Sequence, residues 1–294
     1  MAKWKYLGID FSPEEKSSYP AAKEAFDSRG IQRKIRWARG ALVSSGLPPT
    51  TRTAAQRQSF WAAQLYGSVD GFELSSASLC PASTAWIRRP ASCIPGRDFI
   101  QYVHVLINCL PSRVRVSRGT RRNQRDVQCR AGCPAKETAA HTIQGCWRTH
   151  GGRVLRHDAV VRVLSEALTA KGWAVIASPR IQTREGLRRP DIIAGRGQEV
   201  ALVDAQVVSG AKSLSISHRE KSAQYASNPD VQEYAMSTAD PRPTRLTFTS
   251  CILSWRVVWS AESYQDLCSL GVPTRVLEGI TTRVPIPTGG VLTP

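Results

Sequence analysis

Four residues spaced Cys129-x3-Cys133-x7-His141-x4-Cys146 constrain this chain more than any other feature. Zinc takes four sulfur or nitrogen donors in a tetrahedron at roughly 2.0–2.3 Å. Two closely spaced cysteines supply one ligating turn, and a histidine and a cysteine about a helical turn apart supply the other pair. Metal-binding free energy becomes folding free energy, so such a site holds together a segment too short to bury a core. Closed coordination leaves no place for water, and a structural or nucleic-acid-docking role is expected rather than a catalytic one. Free thiols with a surface histidine are the simpler alternative, and His150, four residues past Cys146, competes for the ligand set. The spacing also argues for a reducing compartment, where the eight cysteines stay unpaired.

A cationic run precedes this knuckle. Basic residues outnumber acidic ones 40 to 23, a formal charge of +17, and only nine of the 40 are lysine. Arginine forks match phosphate oxygens and guanine edges bidentately, so the excess points to a polyanionic partner, DNA or RNA. A codon bias toward G and C is the bland alternative. Between Pro111 and Arg130 stand Arg113, Arg115, Arg118, Arg121, Arg122, Arg125 and Arg130 against one acid, Asp126. These seven are the candidate nucleic-acid-binding residues, and binding through them should weaken steeply with salt. Residues 229–294 carry five arginines and six acids, so the docking charge lies upstream.

At 294 residues the chain has room for two or three units with their own cores. No apolar core follows MAKWKYLGID and no uncharged run nears the ~20 residues of a membrane span, so a soluble, unsecreted chain is expected. A strand is predicted over Lys5–Phe11, and helices near 20–43, 52–66 and 97–109. In this half His104 reads as a packed residue before a ligand, and Trp4, Trp37, Trp61 and Trp86 as core anchors first and base-stacking platforms second. After Gly151-Gly152 an amphipathic helix is predicted over 153–171, with Leu155, Val160, Val161, Leu164, Ala167 and Leu168 on its apolar side and Gly172 as its stop. Strands follow at 173–177, 190–194 and 199–208, the last two joined as a hairpin. A helix at 217–228, a strand at 245–258 and a helix at 260–270 complete a mixed α/β layer. The stretch from Pro285 reads as a loose tail.

The second constellation lies in the hairpin. Asp191 begins one strand and Asp204 lies in the next, an arrangement that can bring two carboxylates to one end of a sheet to hold Mg²⁺ with waters left on it. Lys221, in the following helix, supplies a cation for a metal-bound water or a scissile phosphate. Asp204 stands in an otherwise apolar strand, where a carboxylate without a cation faces a desolvation cost. A capped turn with a buried salt bridge is the structural alternative.

The Cys-x3-Cys-x7-His-x4-Cys order, followed by Arg148-Thr-His150-Gly, Arg156-His157-Asp158, Arg189-Pro190-Asp191, Asp204 and Lys221-x3-Tyr225, resembles the C-terminal part of R2-type non-LTR retrotransposon proteins. The resemblance implies an α+β multi-domain chain. A mostly helical N-terminal half over 1–108 would be the end of a polymerase palm, thumb and linker. A basic segment with a zinc knuckle would span 109–150, and a restriction-endonuclease-like α/β domain of the PD-(D/E)xK class 151–284. It implies Asp191 and Asp204 as Mg²⁺ ligands, Lys221 as catalytic lysine, and His157 and Tyr225 as accessory residues. The wider nuclease class puts that lysine two residues after the second acid, where this chain has Gln206. Target DNA in ribosomal RNA genes, element RNA and a nuclear location are implied too. The polymerase's Asp-Asp motif is absent, so the chain alone is not expected to polymerise DNA. A non-catalytic zinc-dependent binding module is the rival reading.

Overall fold

A computed structural model of the protein describes residues 4–6, 9–11, 53–68, 70–88, 96–118, 127–210, 212–239 and 242–283. The helix expected near 20–43, Trp37, Arg121, Arg122, Arg125 and the tail from Pro285 lie outside them. The chain divides into two units, Met1–Gly71 and Phe72–Pro294.

In the first unit, the single strand expected over Lys5–Phe11 is two: β1 (Trp4–Tyr6) pairs antiparallel with β2 (Ile9–Phe11), Lys5 opposite Asp10. An apolar-polar alternation reads the same whether a strand runs on or doubles back. Helix α1 (Ala54–Gly67) is the helix expected near 52–66, starting two residues later. Thr53 Oγ1 accepts from Gln56 N–H at 3.1 Å and Gln56 Oε1 accepts from Thr53 N–H at 2.9 Å, a reciprocal cap. Trp61 on this helix is half-buried.

The second unit opens with short helices, α2 (Leu74–Ala77), α3 (Ala85–Arg88), α4 (Gly96–Leu106) and α5 (Arg113–Ser117). Trp86 is fully buried and meets the rings of Phe99 and Tyr102 at 5.6 Å. The sequence expectation of a packed His104 fails: Val105 and Leu106 turn inward, Tyr102 with them, and His104 points to solvent. α6 (His150–Thr169) buries Val160, Val161, Leu164, Ala167 and Leu168 as predicted, but starts three residues earlier and leaves Leu155 exposed. Gly172 takes φ +80° just past the helix, a conformation that favours glycine.

Beneath α6 lies a four-stranded sheet in the order β3 (Ala174–Ala177), β6 (Ile192–Arg196), β7 (Glu199–Val208), β8 (Arg245–Ser254). β3 and β6 are antiparallel, as are β6 and β7, whereas β7 and β8 run parallel. Gly197, at φ +57°, stands in the two-residue connection of the β6–β7 hairpin. The parallel pair needs a crossover, supplied by α7 (Leu214–Ala223) and α8 (Pro229–Ser237). Two elements escaped the sequence reading here. The hairpin of β4 (Ile181–Thr183) and β5 (Gly186–Arg188) is too short to show a period. The helix expected at 217–228 is in fact α7, which ends at Ala223, and a new helix starts at Pro229. Asn228 caps that new helix, its Oδ1 accepting from Val231 N–H at 3.1 Å. A cap residue followed by proline is a start signal that the longer helix obscured. The strand expected to run to 258 ends at Ser254, where the chain folds back so that Trp259 pairs with Leu253. α9 (Ala261–Ser269) and α10 (Thr274–Arg283) close the unit. Trp259 Nε1 donates to Thr281 Oγ1 on α10 at 2.9 Å, and Tyr102 donates to Thr282 O at 2.7 Å, tying α4 to the same end.

The protein is thus a mixture of helix and sheet, and among the described residues no helix is long and apolar enough to cross a membrane.

Candidate functional site

The knuckle forms from a turn and a wide helical loop. Gln128 pairs with Lys136, and Gly132 N–H donates to Cys129 O at 3.0 Å with Gly132 at φ +80°, which turns Cys133 back toward Cys129. His141–Gly145 winds one residue wider than an α-turn, and Cys146 N–H donates to His141 O at 2.8 Å. The four ligand atoms of Cys129, Cys133, His141 and Cys146 consequently lie within 4.8 Å of one another. Cys146 Sγ is 3.8 Å from both Cys129 Sγ and Cys133 Sγ. Two thiolates bound at about 2.3 Å to one tetrahedral ion would stand about 3.8 Å apart. His141 Nε2 is buried without a hydrogen-bond partner among the described residues, the state of a nitrogen awaiting a metal. A side chain at Gly145 would press on His141 Nδ1 at 3.2 Å, so glycine leaves that ring room. The Trp147 backbone N–H holds the Cys133 thiol below its usual range, and burial pushes Cys146 up. This donor set fits zinc. His150 is not in it: the ring is exposed, its Nδ1 3.4 Å from Arg153 Nη2.

The second site stands at the end of the β6–β7 hairpin. Ile192 pairs with Val203, and continuing that register by one residue sets Asp191 opposite Asp204 on the same face. Asp191 Oδ2 accepts from Ala205 N–H at 2.7 Å and lies 3.2 Å from His157 Nε2 on α6. Burial alone would raise the Asp191 pKa, but these bonds outweigh it and hold the carboxyl below its usual range. The same bond from Asp191, together with Asp158 on the other ring nitrogen, pushes His157 up to about 9, so the imidazole is charged at neutral pH.

Asp204 is 2% exposed. Burial, with the neighbouring Asp191 adding to it, pushes its pKa up to about 7 despite Lys221. Lys221 Nζ lies 2.7 Å from Asp204 Oδ2, an ion-pair distance off the direction of a hydrogen bond, and that oxygen has no hydrogen-bond partner among the described residues. Lys221 also donates to Gln224 Oε1 at 2.9 Å. One turn earlier on α7, His218 Nδ1 sits 2.8 Å from Ser250 Oγ on β8 and 3.0 Å from Ser263 Oγ on α9. Ser250 is the parallel partner of Asp204, so this buried cluster fixes where α7 presents Lys221. Tyr225 lies past the end of α7 and packs with Ile193, Leu202 and Val231. Burial, followed by the charges of Asp204 and Asp191, pushes its hydroxyl up to about 12. Gln206, two residues after Asp204, is exposed and lines a groove of about 610 Å³ with Gln144, Lys212, Lys221 and Gln224.

The sequence therefore named five residues that the fold gathers: Asp191, Asp204, Lys221, His157 and, from beneath, Tyr225. It missed the connection between the two sites. Gln144, between two knuckle ligands, donates to Val208 O at 3.2 Å and Val207 O at 3.4 Å, at the end of the strand that carries Asp204. Its own oxygen accepts from Arg156 Nη2 at 2.7 Å. Arg156 is buried, which pushes its pKa down to about 10.

Of the basic run, Arg113 donates to Gln128 O at 3.1 Å, and Arg115 approaches Cys109 Sγ at 3.2 Å. Arg130 is turned inward: its Nη2 is 2.8 Å from Glu137 Oε1, and Glu137 is buried. That guanidinium holds the knuckle together, so Arg130, counted among the candidate phosphate contacts, has an internal use. Arg118 is exposed.

No family model matches the chain. Curated relatives do. It is 40% identical over 228 residues, 78% of its length, to a "Retrovirus-related Pol polyprotein from type-1 retrotransposable element R2" of Nasonia vitripennis. It is 33% identical over 80% of its length to the corresponding polyprotein from the type-2 element R2DM of Drosophila melanogaster, and 35% identical over 82% to that of a type-1 element R2 of Bradysia coprophila. The aligned stretch covers 22%, 22% and 27% of these relatives, so the chain spans about a quarter of their length or less. With identity sustained over about four-fifths of its residues, the chain belongs to the family of R2 retrotransposon Pol polyproteins.

Proposed function

We propose that this chain is the DNA-cutting portion of an R2-type retrotransposon protein, a Mg²⁺-dependent endonuclease that nicks target DNA and leaves a 3′-hydroxyl to prime reverse transcription. The observation that carries the reading is the pair Asp191 and Asp204, opposed across a hairpin at the rim of a mixed sheet with Lys221 2.7 Å from the second carboxylate. Residues 151–284 are then a restriction-like domain of the PD-(D/E)xK class, with a helix, three antiparallel strands, a crossover and a parallel fourth strand. Residues 109–150 are its basic segment and zinc knuckle, and residues 1–108 the end of palm, thumb and linker. Reverse transcription belongs to the longer protein, whose target, by family, is ribosomal RNA gene DNA and whose location is nuclear.

The donor set fits a hard divalent cation. Two facing carboxylates, one with an oxygen that finds no hydrogen bond among the described residues, would gain counter-charge from a shared dication. Magnesium, when bound by Asp191 and Asp204, supplies Lewis-acid stabilisation of the phosphate and an acidified water. Lys221 contributes a fixed positive charge beside the position where charge develops in the transition state. Charged His157 keeps Asp191 ionised and oriented. Lys212 and the amides of Gln206 and Gln224 line the groove along which a strand would lie.

A supercoiled-plasmid assay with Mg²⁺ tests the assignment. Wild type yields nicked circles, while Asp191→Ala, Asp204→Ala and Lys221→Ala do not. Equal nicking by wild type and Asp204→Ala overturns it in favour of a binding module with structural carboxylates.

A further inference from the structure

Trp147 follows the last knuckle ligand and is 66% exposed, although it is the largest side chain in the knuckle. Its ring nitrogen is already taken. The indole Nε1 donates to Ala131 O at 2.8 Å. That bond ends on the turn between Cys129 and Cys133, so the ring is braced against the metal-binding loop while most of its surface stays in solvent. A ring held this way loses little entropy on stacking.

The surroundings select the ligand. Between residues 127 and 157 the chain holds one acid, Glu137, against Arg130, Lys136, Arg148, Arg153 and Arg156. Arg130 neutralises Glu137. Arg153 Nη1 donates to Cys146 O at 2.7 Å, the carbonyl preceding Trp147, and so stands beside the ring's own peptide. Arg148, the next residue, is exposed. An apolar protein surface or a zwitterionic lipid would have to desolvate these cations, whereas a nucleic-acid backbone pairs with them. Paired bases in a duplex are stacked on one another and closed to a protein ring, but an unpaired base is open on both faces.

We propose that Trp147 is a stacking platform for one unpaired base of a single strand, whose flanking phosphates are held by Arg148 and Arg153. The platform is separate from the carboxylate site and does not depend on the nuclease assignment. It gives the knuckle a preference for single strands over duplex.

The test is fluorescence anisotropy on the full zinc-loaded chain without magnesium, using fluorescein-labelled 12-nucleotide single strands of DNA and of RNA and a blunt duplex of the same sequence. Base–aromatic stacking predicts about a 5- to 150-fold weaker affinity of Trp147→Ala for single strands, with duplex affinity unchanged within about twofold. Trp147→Phe, which lacks the Nε1 bond but keeps a ring, should stay within about threefold to fivefold of wild type. A loss on RNA, DNA or both supports the platform, the larger loss naming the preferred strand. Unchanged single-strand affinity in Trp147→Ala, or an equal loss on the duplex, overturns it. Should Trp147→Ala fail to retain zinc, a bromouracil-substituted single strand cross-linked to the wild-type chain decides: an adduct on Trp147 supports the platform, and adducts only elsewhere overturn it.

Discussion

A carboxylate kept out of water should weigh on the fold, and Asp204 allows that weight to be worked out. Folding moves its pKa from 3.8 to about 7, chiefly through burial. The raised value means the folded state binds a proton more tightly than the unfolded chain does. The cost of ionising the buried group is therefore absent below the unfolded pKa, grows as pH climbs from about 4 to 7, and is then constant. At 1.36 kcal/mol per pKa unit, a shift of about 3 units amounts to about 4 kcal/mol above pH 7. Replacing the carboxylate by an amide of equal size removes that pH-dependent cost. Lys221 loses its partner in the exchange, but its side chain is 21% exposed and reaches water, so it returns only part of the gain. D204N should accordingly be more stable than wild type in metal-free buffer at pH 8, by up to about 4 kcal/mol, or roughly 10 °C in Tm for a unit of this size. The advantage should shrink toward pH 5. Millimolar magnesium should raise the Tm of wild type and leave that of D204N unmoved, because only the former offers two carboxylates. Thermal unfolding by near-UV circular dichroism, with and without magnesium, from pH 5 to 8, reads all of this. A D204N protein less stable than wild type at pH 8, or a difference that does not change with pH, would refute the reasoning.

Other expectations concern the scaffold. Cys133→Ser removes one of four donors, and metal analysis should find zinc reduced from one equivalent to a small fraction, with the Gln144 contacts to β7 loosened and faster amide exchange at Val207 and Val208. Glu137→Gln leaves Arg130 without its buried partner and should cost about 3 kcal/mol in urea denaturation at pH 7. Burial would raise the Glu137 pKa, but Arg130 and two backbone amides bring it below normal. The wild-type contribution is thus present above the unfolded pKa of 4.5 and fades as pH falls through the lower folded value. Leu164→Ala, at a fully buried position on α6, should cost about 2–5 kcal/mol by the same denaturation.

The parts of the fold legible in the sequence were those with long periods or strong chemistry. The α6 stripe, the β6–β7 hairpin with its glycine turn and the four knuckle ligands are each written in consecutive spacing. The two aspartates could be paired from sequence because a hairpin register is fixed by its turn, and Lys221 because a family order names it. What escaped was set by tertiary contact. Nothing local distinguishes Arg156 from a surface arginine, since its burial depends on Gln144 arriving from the knuckle. The three-residue strands β4 and β5 are too short for a pattern. Arg130 reads as a phosphate contact until Glu137, seven residues on, is seen to be buried beside it.

The Gln144 bridge has a consequence for any attempt to divide the molecule. A recombinant piece beginning at residue 151 would leave the Val207 and Val208 carbonyls without that amide donor and the Arg156 guanidinium without its acceptor, all beside the end of the strand that carries Asp204. The knuckle is in this sense the floor tile next to the hearth, and lifting it disturbs the stone that has to stay level. Metal bound at one place and carboxylates aligned at another are then a joint inheritance, and a lineage that loses its zinc ligands should soon lose the geometry of its aspartates as well.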